Sequence, residues 1–426
     1  MKKLLSILLI LLLWGTSVLA AEPTITTLLE AIARQPDMRG SALDVEAVDT
    51  RLKQARAELY PKLSAFGRYE MYNSPTNLRP MTPTEIDVAG GESIPFSKGI
   101  TRYGLRAEMP IFIKGLYTLA DQVRQLQKAS RPGHQLRLIT RQAAVVSLDA
   151  ALAFNSRLDL AIAARIGSLR KTRKDLRLAV DNGRTPESEL LKVKTLLNDL
   201  HKQQNELQRQ AIDLKSQLQQ LTGIQLERFV QMRLKRPVSK SGFLRLTQQR
   251  ANVAAAQKEL QGAWDKHYPV LKLEGSVSSN RGEAYNTDRA IDRDYDYLGI
   301  KLSLPLFDRS LSTAIDQAEI QLRRKRQQLA QLRIDLTAEA DSLREQLPVI
   351  DRSTELAQTT LENNRQLLEI AKVTYRTGRM TTEEYLRFEV QVLEAEAALH
   401  QTHVDRWQVV SRQAVLYGDE LTGVIE

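Results

Sequence analysis

The chain has 426 residues, a formal net charge of +10 and no cysteine. Without cysteine, disulfides, thiolate metal sites and lipid attachment through an N-terminal cysteine are all excluded. The positive charge is spread among acidic residues along helical patterns and aromatics make up only 5% of the chain, so the composition does not point to a nucleic-acid-binding protein.

Met1-Lys2-Lys3, an apolar run from Leu4 to Trp14, and Val18-Leu19-Ala20 form a basic start, a hydrophobic middle and a small-residue cleavage site. Residues 1–20 are therefore expected to be a signal peptide, with cleavage after Ala20 or Ala21. The apolar run falls short of the roughly 20 residues a spanning helix needs. No later stretch is apolar enough for one, so any membrane crossing falls to strands.

Residues 24–59 carry a helical pattern with Leu28, Leu29, Ile32, Leu43, Val48, Leu52 and Ala55 on a recurring face. After Pro61 the period changes to two. Leu63, Ala65, Gly67, Tyr69 and Met71 alternate with Lys62, Ser64, Arg68 and Glu70, which predicts a strand to Tyr72. A second strand is expected from Ile100 to Met109, with residues 73–99, rich in Pro, Gly and Ser, as a surface loop. An outgoing helical arm follows, which Pro132-Gly133 should bend or break. A turn at Asp181-Asn182-Gly183-Arg184 leads to a return arm with Leu190, Val193, Leu197, Leu200, Leu207 and Leu214 at heptad spacing.

The same order then recurs. Tyr60-Pro61 is answered by Tyr268-Pro269, Met109-Pro110-Ile111-Phe112 by Leu304-Pro305-Leu306-Phe307, and the first turn by Arg376-Thr377-Gly378-Arg379. The interval from Pro110 to Gly183 equals that from Pro305 to Gly378, so the arms carry no net insertion. Equal arms imply a geometric constraint. A first repeat over residues 21–223, a linker at 224–250 and a second repeat at 251–426 follow. In the second repeat, strands are expected around Leu271–Ser278 and Tyr297–Leu304, joined by a loop at 280–294. Pro348 should kink the outgoing arm. The return arm places Leu386, Val390, Leu393, Ala397, His400, Val404 and Trp407 on a seam. An arm of this length would reach on the order of 100 Å at helical rise.

Four strands of about ten residues, each with one apolar and one polar face, match the dyad pattern of an outer-membrane barrel. A soluble sheet packed on helices has the same alternation. Known single-chain barrels begin at about eight strands, whereas three copies of this chain would supply twelve and leave no edge.

The motifs resemble those of the TolC-like outer-membrane efflux and secretion channels over essentially the whole mature chain. Ala55-Arg56-Ala57-Glu58-Leu59-Tyr60-Pro61 is similar to the family's helix-to-strand segment, and the two Pro-containing tetrapeptides are similar to its strand-to-helix junctions. Tyr375 to Leu386, with Thr377-Gly378-Arg379 and Glu383-Glu384-Tyr385, resembles its turn between coiled-coil arms. The resemblance implies a mainly α fold in which long antiparallel coiled-coil helices form a trimeric α-barrel. The four strands of each chain would contribute to a 12-stranded transmembrane β-barrel. It further implies a passive exit duct without enzymatic chemistry or cofactors, serving a tripartite efflux or type I secretion system. The partners would be a periplasmic adaptor, an inner-membrane pump or ABC exporter, and outer-membrane lipid.

Gly183, Arg184, Gly378 and Arg379 are then the candidate tip turns and adaptor-docking residues, with simple helix capping as the alternative. Glu189 and Glu384 occupy equivalent positions and are candidates for a pore constriction. Arg387 and Lys192 lie one helical step farther on, where some relatives hold a second acidic ring. Glutamates paired with those cations are the competing reading. His400 and His403 have metal-pair spacing but no third ligand, so packed histidines are expected. No nucleophile–base constellation or phosphate-cradling glycine loop is present. The rival to a channel is a soluble periplasmic coiled-coil scaffold or adaptor, which would have no need of dyad-patterned strands.

Overall fold

The computed structural model describes residues 23–82, 85, 87 and 90–426. The expected signal peptide lies outside the described residues. Helices α1 (Ile25–Ala33) and α2 (Pro36–Ala57) lead into strands β1 (Lys62–Asn77) and β2 (Phe96–Phe112). Helix α3 (Lys114–Asp181) and helix α4 (Glu187–Thr222) form the first hairpin. The order recurs as α5 (Leu244–Asp265), β3 (Val270–Glu283), β4 (Ala290–Ser303), α6 (Arg309–Arg376) and α7 (Thr382–Tyr417), with a short 3-10 turn at Leu421–Gly423. The duplication is reproduced in length. Helices α3 and α6 each have 68 residues, and α4 and α7 each have 36. Helices α2 and α5 each have 22.

Several expectations are corrected. The first helical stretch is two helices, because Pro36 cannot donate a backbone hydrogen bond and its ring clashes with the preceding turn, so the chain breaks at Arg34-Gln35. The Gln35 Nε2 donates to the Thr222 carbonyl at 2.6 Å and secures that break. Pro132 does not break α3, which runs on as one helix; Pro348, expected to kink its arm and not to end it, lies inside α6. In a helix this long, packing compensates for one missing bond. The hairpins also extend beyond the expected strands, into segments anticipated as loops. Polar cross-strand bonds hold these extensions: Arg281 and Ser279 both donate to Asp292 at 2.7 Å. A small apolar cluster of Leu78, Ile100, Ala284 and Ile291 packs there.

The described residues fall into two compact units. One, the strand unit, comprises residues 43–132 and 246–332. Its four strands form one antiparallel sheet in the order β1-β2-β3-β4. The first unpaired edge is β1 and the other is β4. Apolar packing next to the sheet is confined to small clusters, such as Leu52 and Ala55 of α2 with Ala120 and Val123 of α3.

The second, the hairpin unit, comprises residues up to Ala42 together with 133–245 and 333–426. Its main core is built around α1, whose Ile25, Leu28, Leu29 and Ile32 are wholly buried. They pack with Ile139, Val145 and Val146 of α3 and with Val410 and Ala414 of α7. Thr24 caps α1 by accepting from the Thr27 amide at 3.2 Å. The linker joins this core through an isolated antiparallel bridge between Leu234 and Ile425. Arg236 adds a two-pronged ion pair with Asp419, at 2.7 and 2.8 Å. A second cluster lies along the hairpins, with Leu190, Val193, Leu197, Leu200 and Leu207 of α4 buried at heptad spacing against Ile162, Ile166 and Leu169 of α3.

Gly104 marks the tightest approach within the sheet, since a Cβ there would lie 2.1 Å from the Val277 carbonyl oxygen and 2.8 Å from the Ser278 Cα. Gly67, which pairs with Tyr103 in the same hairpin, has open space at its Cβ. Gly104→Val is therefore expected to abolish the β-signal and the assembled species, whereas Gly67→Val should retain both. Circular dichroism and the yield of assembled protein in detergent check this pair.

Candidate functional site

The strand sheet has two unlike faces. Leu63 stands opposite Ala107, Ala107 opposite Gly275, and Gly275 opposite Leu298, so all four share one face. By the period-two rule Ala65, Leu105, Met109, Leu273, Val277, Ile300 and Leu302 join them. Among the described residues nothing shields this face: Leu63 is 72% exposed, Leu298 76%, and Ile300 and Leu302 67% each. The other face carries Lys62, Ser64, Arg68, Glu70, Arg102, Arg106, Glu274 and Ser276. The Glu70 carboxylate accepts from the Arg102 Nε at 2.8 Å and pairs with Arg68 at 3.0 Å.

The apolar run drifts across the sheet. On β1 it extends from Leu63 toward the loops to Met71, but on β4 it extends from Leu298 away from them to Leu302. Asp296, Asp294 and Asp292 occupy the rest of that face. A band that crosses hydrogen-bonded rows diagonally belongs to strands tilted relative to a layer boundary. Barrel strands tilt by roughly 35–45° in this way.

The hairpin turns are a matched pair. Gly183 and Gly378 have φ of +66° and +72°, the left-handed region that glycine enters without a Cβ penalty. The Gly183 amide donates to the Val180 carbonyl at 2.9 Å and the Arg184 amide to that of Ala179 at 2.8 Å. Gly378 repeats the pattern to Tyr375 at 3.0 Å, and Arg379 to Thr374 at 3.1 Å. Both turns are Schellman caps. Arg184 and Arg379 are exposed just past them.

The two glutamates that the duplication equates do different things. Glu384 closes a capping box: its carboxylate accepts from the Thr381 amide at 2.9 Å while its own amide donates to the Thr381 hydroxyl at 3.2 Å. These bonds hold its carboxyl below the usual range, with Arg387 assisting electrostatically. Helix α4 begins after Pro186, which offers no such cap. Glu189 instead accepts from Lys192 at 3.0 Å, and its Oε2 is buried without a partner. Lys192 also reaches Glu383 at 3.5 Å, and the Glu189 contact raises the lysine's pKa.

Above the turns the sequence pattern missed a buried polar lock. Glu389 of α7, 1% exposed, forms an ion pair with Arg165 of α3 and accepts from Ser168 at 3.0 Å and Tyr385 at 2.5 Å. Tyr385 stacks on Tyr375 with centroids 4.8 Å apart. The buried stripe of α7 therefore runs through Tyr385, Glu389 and Val392, while Val390, expected on the seam, is 38% exposed. The four-residue spacing of Tyr385 and Glu389 was the available signal. His400 and His403 tilt against each other with centroids 6.4 Å apart. No His, Cys, Asp and Glu grouping suited to a metal occurs among the described residues. None of the described helices is long and apolar enough to cross a membrane.

Comparison with known proteins agrees with this geometry. Residues 244–412 match the model of the family described as outer membrane efflux protein. The fold as a whole is that of TolC-like outer-membrane channels. The Vibrio cholerae outer membrane protein VceC superposes with a TM-score of 0.78 at 15% identity, covering 93% of this chain and 96% of its own. The Campylobacter jejuni CmeC outer membrane channel gives 0.79 at 15% identity, covering 94% and 85%. The Neisseria gonorrhoeae MtrE outer membrane channel gives 0.72 at 15%, covering 95% and 91%. No curated protein sequence matches the chain. The efflux-family segment begins at the first residue of α5 and ends within α7, so it takes in both strands of the second half.

One buried acid responds to pH. Asp149 of α3 is wholly buried, accepts from the Val230 amide at 2.9 Å, and has an Oδ2 without a partner. Burial pushes its carboxyl up to about 7. An acid whose pKa rises on folding stabilises the native state at low pH. That contribution fades as pH rises from about 4, the unfolded value, through 7. Asp149→Asn, which keeps the acceptor for Val230, should raise the melting temperature by several degrees near pH 8 and have little effect near pH 4.5. Thermal scans at the two pH values check the difference.

Proposed function

We propose that three copies of this chain form the passive exit duct of a tripartite efflux or type I secretion system in the Gram-negative outer membrane. The observation that carries this reading is the sheet with an exposed apolar face, a charged opposite face and two unpaired edges. In a hydrocarbon layer, unpaired strand edges leave backbone donors and acceptors without partners, at several kcal/mol per group. Joining β4 of one copy to β1 of the next removes every edge, puts Leu63, Leu105, Leu273 and Ile300 toward lipid, and turns Arg68, Arg102 and Glu274 toward a watery lumen. The hairpins continue the duct into the periplasm as a helical barrel. The protein performs no chemistry of its own.

Gly183, Arg184, Gly378 and Arg379 form the tip that meets a periplasmic adaptor, which in turn engages an inner-membrane pump or ABC exporter. The two matched caps support this assignment, because they expose an arginine at the same place in both hairpins. Glu189, Glu384 and Arg387 line the constricted end. Glu384 and Arg387 are exposed on the first turns of α7, and Glu189 holds a buried carboxylate oxygen without a partner among the described residues. Six carboxylates converging there focus a negative potential, and the neighbouring Lys192 and Arg387 moderate it.

Reconstitution in planar bilayers tests the proposal. The purified protein should give discrete current steps with cation preference, and Glu384→Gln should reduce that preference. An absence of steps would refute the duct, and identical selectivity in the variant would remove Glu384 from the constriction.

A further inference from the structure

Within the hairpin unit, linker residues 229–233 cross the groove between α3 and α7 and close a cavity of about 380 Å³. Its apolar lining is Phe154 of α3, Phe229 and Met232 of the linker, and Trp407 of α7, and polar groups make up the larger share of its surface. Its polar residues are Arg157, Gln231, Arg233, His400 and His403, and no carboxylate lines it. Arg157 stands over the Phe229 ring at 5.6 Å. Among the described residues, neither Arg157 nor Arg233 makes an ion pair, and the buried His400 Nδ1 has no hydrogen-bond partner.

The geometry points to a binding site for a small aromatic organic anion, a carboxylate or sulfonate carried on a flat apolar body. The volume falls in the range of small-molecule pockets, which combine apolar walls with a few placed polar groups. Guanidinium groups suit the anionic end because their planar fork of donors matches a carboxylate or sulfonate. Burial and the nearby Arg157 lower the pKa of both imidazoles. The arginines therefore carry the fixed charge, and His400 supplies a neutral hydrogen-bonding edge.

The linker wall is held in place from outside the cavity. The Arg233 amide donates to the Glu426 carbonyl at 2.8 Å, and the Glu426 amide returns a bond to the Arg233 carbonyl at 3.0 Å. On the opposite side, Val230 is tied to Asp149 of α3. The cavity is thus bounded by ordered backbone and not by a free loop end.

Naphthalene-1-sulfonate titrated calorimetrically into the full chain in lipid nanodiscs, with empty nanodiscs as the blank, tests the site. The expected result is one saturable site per chain. Arg157→Gln should weaken it roughly tenfold, and Arg233→Gln should weaken it in the same direction. Uncharged naphthalene-1-sulfonamide should bind roughly tenfold more weakly than the sulfonate. Both arginines are exposed, so the variants should keep the parent circular dichroism and subunit number. No saturable heat, an affinity unchanged in both variants, or equal binding of the sulfonamide overturns the proposal.

Discussion

A sheet whose apolar face is left exposed among the described residues, and whose two edge strands offer unpaired backbone groups, sets the terms for everything else in this molecule. In water such a surface drives aggregation, because edge strands template further pairing and exposed leucines add hydrophobic gain. In hydrocarbon the face is welcome but the edges are not. Pairing edge to edge with further copies resolves both conditions, and the diagonal course of the apolar band fits strands tilted within such a wall.

The duplication serves the same end. Each half delivers two strands to the sheet and one helical hairpin of fixed length, so the two turns lie at equal distances along the chain from their strands. Matched Schellman caps at Gly183 and Gly378 then end the outgoing helices identically. The halves differ where the repeat is not needed for closure: in the length of the strand-connecting loops, in the cap of the return helix, and in the polar contacts near the turns. Glu384 is absorbed in its own cap, while Glu189 keeps an oxygen free. Equivalent positions in a duplicated chain need not retain equivalent chemistry.

Much of this was legible in the sequence, for definable reasons. Period-two alternation in Leu63–Met71 and Leu298–Leu304 gave the strands and their faces, since a one-residue slip would have turned every side chain over. Heptad leucines in Leu190–Leu207 gave the return arm, and glycine at a helix end gave both turns. What escaped notice depended on partners far away in the chain. The strand extensions past Tyr72 and before Ile100 rest on cross-strand contacts that local composition, rich in Ser and Pro, argues against. Continuity through Pro132 comes from packing that overrides local propensity. The Arg165–Glu389 lock was overlooked because a glutamate on a heptad helix reads as solvated until an arginine from another helix is placed beside it, and the Tyr385–Glu389 spacing alone names no such arginine. The role of linker residues 229–233 in closing a cavity was hidden likewise, because irregular backbone has no period to read.

The most direct test of the account is the number of chains in one lipid-embedded particle, counted by native mass spectrometry from nanodiscs. The account predicts three, with strand edges no longer exchanging their amide hydrogens. A folded particle containing one chain, with β1 and β4 still open to exchange, would contradict it.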